Sequence, residues 1–487
     1  MNLNLVIIPP LIAAAASFIK PALWSRIAII TAGALLVVSN IALLYNWQNE
    51  TLVLAEVLDG YKISLSPDPL SIIFALMVSI LYFVTNLYSF AFLTGQDNSQ
   101  LGKDLNPKIH FFFTPIAILA TMCIGYSSNL LTLFIFYEIL TLSTYPLVIQ
   151  SFSDHARKAG RFYVATLFGS SSVFLMFALI YLDKNYGFSD FMLGGIFGEQ
   201  APVKDAIILL ICFVFGFSKT AIFPLYKWLP KAMVAPIPVS ALLHAVAVVK
   251  AGIFSLIKVF VYLFGMDYLS NLHQNIPWSI DWITYLACFT MLLAGFIACM
   301  QSNLKKILAY STISQLSYMI LMLSFTTYAT FNIAFLQMLS HSISKITLFF
   351  SVGKIYMVLQ KTEIDEMRGI AKLLPIPVTL FVLASFSIIG LPPSIGWIMK
   401  SRALEAIICD NFIASFAKTS ILASSAMACY YLLRPIYLML SPSIDKSIIF
   451  CPNTKMLTAV TAITFSLSAI IFFFLEDLFT IAKNAIS

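Results

Sequence analysis

The stretch VFGFSKTAIFPLYKWLPKAMVAPIPVSALLHAVAVVKAGIFSLIKVF, residues 214–260, places charged and helix-breaking residues inside runs of apolar side chains. Lys219, His244 and Lys250 interrupt these runs, and four prolines divide them. A proline inside a helix removes a backbone donor and clashes with the preceding turn. The stretch therefore predicts interrupted helices that hold titratable side chains in an apolar environment.

The composition of the whole chain indicates its class. Of its 487 residues, 60% are hydrophobic and only 10% are charged, and the mean hydropathy is +0.91. Soluble domains usually carry about 25% charged residues. The sequence therefore predicts an all-α, polytopic integral membrane protein.

Several kinds of chemistry lack their usual motifs. The seven cysteines are scattered without a C-x-x-C pair, and no glycine-rich nucleotide-binding loop occurs. The net charge of +7 is spread singly between apolar runs, unlike the basic face of a nucleic-acid-binding protein. We therefore expect no metal, no cofactor, no nucleic-acid partner and no redox or hydrolytic chemistry of the chain's own.

About fourteen apolar segments suit the roughly 30 Å hydrocarbon core of a bilayer. They lie near 4–19, 25–45, 69–93, 109–125, 129–150, 161–182, 205–223, 237–263, 279–300, 307–328, 330–357, 374–400, 411–439 and 455–475. We divide the chain into N-terminal helices at 1–93, five-helix units at 109–263 and 279–439, and a last helix with a short tail at 455–487.

Basic residues between the segments predict the orientation. If the N-terminus is outside, eighteen Lys and Arg lie in cytoplasmic loops and five lie in the opposite loops and tail. Cytoplasmic loops of membrane proteins are enriched in Lys and Arg. We therefore expect both termini on the non-cytoplasmic side of a bacterial cytoplasmic (inner) membrane.

Titratable residues remain inside the apolar segments. They are Glu138, Lys219, His244, Lys250, Lys258, His341, Lys345, Lys400 and Lys418. Each charge at the bilayer centre costs about 2.5–3.5 kcal/mol on insertion scales, and such residues often mark ion or proton pathways. His341 and Lys345 are four residues apart and share one helix face.

Structural roles are the alternatives. Lys258 and Lys418 lie near segment ends, where a lysine can snorkel to the interface. His244 is either an interhelical hydrogen-bond donor or a proton relay. A purely structural ion pair is the alternative for Glu138, Lys219, Lys250 and Lys400.

Two segments carry breaks at corresponding positions. Pro224 should break the seventh segment just after Lys219, and the GLPP sequence at 390–393 should break the twelfth before Lys400. Broken helices at membrane depth are tolerated where they line a protein-buried or watery cavity. The breaks are five segments apart, which predicts two inverted five-helix repeats with broken helices 7 and 12.

Five passages carry a family resemblance. They are FYEILTLSTYPLV, FGFSKTAIFPLYKWLPKAMVAPIPVSALLHAVAVVKAG, NLKKILAYSTISQLSYM, LSHSISKITLFFSVGK and FSIIGLPPSIGWIMK. The chain resembles the antiporter-like proton-translocating subunits of respiratory complex I, membrane hydrogenases and Mrp-type cation/proton antiporters, and is most similar to the Mrp D subunit. The resemblance implies proton-relay roles for Glu138, Lys219, Lys250, His341 and Lys400.

The resemblance also implies a parent complex. We expect a proton-conducting subunit of a multisubunit sodium/proton antiporter, with other membrane subunits, protons and sodium as partners. The alternative is an N-type or related proton-pumping subunit of a complex I-like NADH–quinone oxidoreductase or membrane hydrogenase. An inactive scaffold subunit is a third interpretation, which the retained titratable set disfavours.

Overall fold

The computed structural model of the protein describes residues 3–45, 51–58, 60–97, 105–187, 190–197, 202–408, 411–442 and 455–485. In chain order its helices and strands are α1 (Asn4–Ala16), α2 (Ala22–Tyr45), β1 (Leu52–Leu58), β2 (Tyr61–Leu65), α3 (Pro69–Asp97), α4 (Pro107–Tyr126), α5 (Leu130–Ile149), α6 (Asp154–Ser170), α7 (Met176–Tyr186), α8 (Val203–Gly216), α9 (Trp228–Lys231), α10 (Ile237–Ala241), α11 (Val248–Lys258), α12 (Met266–Asn275), α13 (Trp278–Cys299), α14 (Leu304–Ser324), α15 (Tyr328–Leu359), α16 (Pro375–Ile389), α17 (Ile395–Ala406), α18 (Phe412–Leu440), α19 (Lys455–Phe473) and α20 (Leu475–Asn484). Short π-helical segments at 171–175, 242–246 and 259–264 continue α6, α10 and α11.

The chain is a polytopic, all-α membrane protein. By length and composition, eleven helices among the described residues can cross a membrane, or twelve if the bent pair Ile364–Lys372 and Pro375–Ile389 counts as one span. The predicted fourteen segments all fall on helical structure. Three of them fail the length criterion because α1 has 13 residues, α8 has 14, and the twelfth segment is divided into α16 and α17.

Both predicted breaks are present. After α8 ends at Gly216, the chain continues through short 3-10 turns at 218–220, 225–227 and 232–234 before α10 begins. α16 ends at Gly390, which has a left-handed backbone, and α17 begins after Ser394. Proline cannot donate the backbone hydrogen bond that would continue either helix.

Polar side chains cap the helices that surround these breaks. Asn129 accepts a hydrogen bond from the backbone N–H of Thr132 at the start of α5, and Asn303 accepts one from Lys306 at the start of α14. Ser394 caps α17 in the same way. Such caps satisfy backbone donors that a helix leaves unpaired at its N-terminus, so they fix where each helix begins.

The helices differ in burial according to their place in the bundle. Residues 237–264 are buried along their whole apolar window, and α14 and α15 are almost as fully buried. In contrast, α2, α18 and α19 are largely exposed, with large apolar side chains such as Leu422, Tyr437 and Ile463 on the outside. The outer surface therefore suits lipid, and α10, α11, α14 and α15 form the centre.

Several described elements have no counterpart in the predicted segments, among them the short helix α9 between the seventh and eighth. Strands β1 and β2 pair as an antiparallel hairpin, α12 follows the eighth segment, and α20 follows the fourteenth. These elements lie in connectors or the tail, where apolar-segment analysis gives no signal. The basic loop residues Lys103 and Lys446 lie outside the described residues.

Candidate functional site

The predicted titratable residues lie in the protein interior. Lys219, His244, Lys250 and Lys345 have no exposed surface, His341 is 1% exposed and Lys400 is 8% exposed. Glu138 is partly buried as a residue, but both of its carboxylate oxygens are buried. Burial of the titratable atoms is therefore a property that the seven predicted site residues share.

The first group is formed by α5 and the 3-10 turn after α8. The Lys219 ammonium donates hydrogen bonds to the Tyr137 carbonyl at 2.8 Å and to Thr141 Oγ1 at 2.7 Å. Its Nζ also lies 3.1 Å from the centroid of the Tyr137 ring. α5 therefore holds the lysine through neutral groups.

Glu138, which follows Tyr137 on α5, is the charged neighbour of Lys219. The two side chains interact electrostatically, but they form no direct ion pair. Among the described residues, no donor lies within hydrogen-bond distance of either carboxylate oxygen of Glu138, although the Ser171 side chain interacts with the carboxylate. A buried carboxylate without a partner is costly, so this group is poised to take up a proton or to approach Lys219.

Close packing links Lys219 to the next lysine. A Cβ atom added to Gly252 of α11 would come within 2.8 Å of the Lys219 carbonyl carbon and the Thr220 nitrogen. Only glycine allows this approach of two backbones. The turn that carries Lys219 therefore packs against α11 at Gly252, two residues after Lys250 in the sequence.

The second group is at the centre of the bundle. Lys250 Nζ lies 2.5 Å from His341 Nδ1 of α15. His244, in the π-helical segment before α11, has its Nδ1 3.4 Å from Thr312 Oγ1 of α14. Lys345 donates to the Leu308 carbonyl at 3.0 Å and to Ser311 Oγ.

Electrostatic interactions connect the members of this central group. His341 interacts with Lys250, Lys345 and His244. The Nε2 atoms of both histidines are buried and have no hydrogen-bond partner among the described residues. The structure thus brings four of the seven predicted residues into one cluster, made by α11, α15 and the segment before α11.

The third group is Lys400 at the second break. Its ammonium donates to the carbonyls of Ile388 at 3.2 Å and Ile389 at 2.7 Å, and to Ser425 Oγ at 2.8 Å. These carbonyls belong to the end of α16, whose backbone reverses at Gly390 with φ +87°. Lys400 therefore satisfies the carbonyl end of the broken helix.

Each break borders a cavity. A cavity of about 690 Å³ is lined by residues of the first break, including Tyr226, Pro230 and Val234. A second, of about 300 Å³, is lined by Pro393, Ser394 and other residues of α15, α16 and α19. This agrees with the expectation that interrupted helices line cavities.

Sequence reasoning was wrong about Lys258. It does not snorkel: it is 2% exposed, forms an ion pair with Asp68 at 3.5 Å and donates to the Gly125 carbonyl at 2.5 Å. Tyr262 donates to the same carboxylate at 2.8 Å. Asp68 directly precedes α3 and is far from Lys258 in sequence. The only sequence signal for this pairing was the position of Asp68 near the start of an apolar segment. Lys418 is half-buried on α18, and its snorkelling stays a prediction.

Comparison with known proteins places these features in a family. Residues 127–424, more than half of the chain, match the family model described as NADH:quinone oxidoreductase/Mrp antiporter, transmembrane. The matched region contains all seven predicted site residues.

A curated relative from Staphylococcus aureus (strain JH9), named "Putative antiporter subunit mnhA2", is 29% identical over 383 residues. The match covers 74% of this chain and 45% of that protein, so the chain spans about half the length of the curated relatives that it matches. The relative is named as an A subunit, whereas the sequence motifs favoured a D subunit.

Two solved structures have the same fold. The Mrp complex from Dietzia sp. DQ12-45-1b matches with a TM-score of 0.81 and 22% identity, over 99% of this chain and 52% of that chain. An archaeal respiratory complex, the membrane-bound sulfane sulfur reductase, matches with a TM-score of 0.80 and 21% identity, over 99% of this chain and 97% of that chain. The buried lysines, the two broken helices and the match over 127–424 lead to one conclusion: the chain belongs to the NADH:quinone oxidoreductase/Mrp antiporter transmembrane family.

Proposed function

We propose that this chain conducts protons along a buried relay, as a subunit of a multisubunit monovalent cation (sodium)/proton antiporter. The observation that carries the proposal is the Lys250–His341 contact, in which two buried titratable groups lie 2.5 Å apart. Only one of these nitrogens needs a proton to form the hydrogen bond, so a proton can pass from one to the other within it.

The first group supplies a switch. Burial disfavours the charged form of a lysine, whereas a nearby carboxylate favours it. Because Glu138 interacts with Lys219 without a direct ion pair, a small approach of the carboxylate stabilises the ammonium, and its withdrawal favours release of the proton. The neutral partners Tyr137 and Thr141 keep the lysine in place in either state.

Protons then move along the central cluster and leave through the second break. The path runs from Lys219 to Lys250, to His341 with Lys345, and on to Lys400. The two unpartnered histidine Nε2 atoms and the Glu138 oxygens support this path, because buried polar groups are normally satisfied by protein or by ordered water. Water beside these groups would complete the relay, and His244 would act as both a hydrogen-bond partner of Thr312 and a relay group.

The motif resemblance favours a D-type subunit of an Mrp-type assembly in a bacterial cytoplasmic membrane, with both termini on the non-cytoplasmic side. The test is to tag the chain, extract it in mild detergent and identify its stoichiometric partners by mass spectrometry. Small hydrophobic antiporter subunits, together with sodium-dependent proton flux in vesicles, are the expected result. An A-type companion chain in the same complex would support the D-type assignment, and its absence would contradict it.

A second candidate is a proton-pumping membrane subunit driven by redox chemistry in partner chains. The structural match to the archaeal sulfane sulfur reductase complex, over 97% of the matching chain, favours this alternative. Co-purification of flavin or iron–sulfur proteins would establish it and would contradict the antiporter assignment. The relay residues would keep their roles.

A further inference from the structure

The cavity at the first break is lined by an unusual concentration of positive charge. It lies between the start of α6, the segment 225–234 and the start of α14. Its basic lining residues are His155, Lys158, Lys227, Lys231, Lys305 and Lys306. None of the residues that line it is an Asp or a Glu.

The enrichment of Lys and Arg in cytoplasmic loops explains why this side of the protein is basic, but not why the side chains converge. Lys158 comes from α6, Lys227 from the broken helix and Lys306 from α14, and these elements are far apart in sequence. All three side chains are exposed. Random placement in loops would not direct three separate elements to one concavity.

Four of the cavity's lysines are not neutralised by an ion pair with any carboxylate that the structure describes. Among the described residues, Lys158, Lys227, Lys231 and Lys306 form no ion pair with a carboxylate, while Lys305 donates to the Ala235 carbonyl at 2.7 Å. Two acids adjoin lining residues without lining the cavity themselves: Asp154 precedes His155 in the chain, and Glu363 accepts a hydrogen bond from Asn303 at 3.0 Å. Like charges around one cavity repel each other, and a bound anion would relieve that repulsion.

We propose that this cavity binds a phosphate-bearing anion, with an anionic phospholipid headgroup of the cytoplasmic leaflet as its natural source. Lysine is a common phosphate ligand, and basic pockets between transmembrane helices on the cytoplasmic side bind anionic headgroups. Ala159, Met233 and Val234 give the same cavity apolar walls, which suit the glycerol and upper acyl region of a lipid. This inference does not depend on the proton relay.

The test uses the full chain purified with its own partner subunits. Native mass spectrometry would measure retention of dioleoyl phosphatidylglycerol relative to dioleoyl phosphatidylcholine. The test variant is K158Q/K227Q/K306Q, which removes one exposed charge from each element. The charge-preserving variant is K158R/K227R/K306R, and the matched control is K20Q/R368Q/K372Q, which removes three exposed basic residues outside the cavity.

We expect the glutamine variant to lose the preference for phosphatidylglycerol by at least about tenfold, because three lysines that would attract the anionic headgroup are removed. The arginine and control variants should retain it. A glutamine variant that assembles normally and binds phosphatidylglycerol as the wild type does would overturn the proposal, as would an equal loss in the control variant.

A second arm separates the two sources of phosphate. Inorganic phosphate would be added to the delipidated complex, and binding would be followed by calorimetry. If inorganic phosphate binds the wild-type complex but not the glutamine variant, the anion site is supported and soluble phosphate is its ligand. Binding of the lipid alone, with the same dependence on the three lysines, supports the headgroup as the ligand.

Discussion

The two broken helices occupy corresponding places in the chain, but the groups that surround their lysines differ in charge. Lys219 lies beside Glu138, a buried carboxylate without a hydrogen-bond partner among the described residues. Lys400 has only neutral partners, the carbonyls of Ile388 and Ile389 and the Ser425 hydroxyl. The first break thus places its lysine beside a charged group, whereas the second places its lysine at the end of a helix.

This difference indicates which end of the relay is switched. A lysine with a movable carboxylate neighbour can change its proton affinity, whereas a lysine held by carbonyls has a nearly constant environment. In the proposed relay, Glu138 and Lys219 would therefore control proton transfer. In the same proposal, Lys400 would pass on the protons that reach it.

Among changes at the two breaks, the largest effect is expected for Lys219→Met. This change removes a relay group and leaves the Tyr137 carbonyl and the Thr141 hydroxyl without their donor. Proton flux in vesicles containing the reconstituted complex should fall by roughly a hundredfold or more, the usual contribution of a positioned proton-transfer group. The control is Lys418→Met, a half-buried lysine outside the relay, which should keep wild-type flux.

A smaller effect is expected for Glu138→Gln, which keeps the shape of the side chain and removes its charge. Lys219 remains as a carrier but loses the charge that stabilises its ammonium form, so flux should fall by about tenfold, equivalent to roughly 1.4 kcal/mol. Glu138→Asp should restore part of the flux. Unchanged flux in the glutamine variant would remove the proposed distinction between the two breaks.

Lys400→Met should reduce flux less than either change at the first break, and within about tenfold of the wild type. The cavity of about 300 Å³ that borders Pro393 and Ser394 could hold water, and this water would carry protons in place of Lys400. Lys400→Arg preserves the charge and the donors and should be closer to wild type. A loss as large as that of Lys219→Met would show that the two breaks are equivalent.

The smallest effect is expected for Gly390→Ala, measured as thermal stability in detergent rather than as flux. Gly390 has φ +87°, where a Cβ costs about 1–2 kcal/mol, so the unfolding midpoint should fall by a few degrees. The matched control is Gly169→Ala: Gly169 lies in α6 with open space around its Cβ position, and alanine favours a helix there. Equal midpoints in both variants would show that the left-handed turn is not strained by a side chain.

Much of this arrangement could be predicted from the sequence, because membrane-spanning segments are long apolar runs in which a charged residue or a proline is conspicuous. An apolar run long enough to span the bilayer is hard to miss, and a lysine or proline within it stands out against its neighbours. Pro224 and the GLPP sequence thus located both breaks, and the burial of Lys219 and Lys250 followed from their surroundings.

The partners of these residues could not be predicted, because they depend on tertiary packing. Lys250 and His341 are separated by 91 residues, and Lys258 and Asp68 by 190, so no local pattern joins them. The spacing of His341 and Lys345 correctly placed them on one face, but gave no sign that Lys345 turns to Ser311. The basic cavity was also hidden, since its lysines come from three separate elements.

The proposed relay is tested most directly at Lys250, through which protons would pass on the way from the first break to the second. Proton flux driven by an imposed pH gradient would be compared in vesicles containing the wild-type complex and the Lys250→Ala variant, with equal incorporation checked by immunoblot. Because Lys250 contacts His341 at the centre of the bundle, we predict near-complete loss of flux. Proton transport by Lys250→Ala at the wild-type rate would contradict the buried relay.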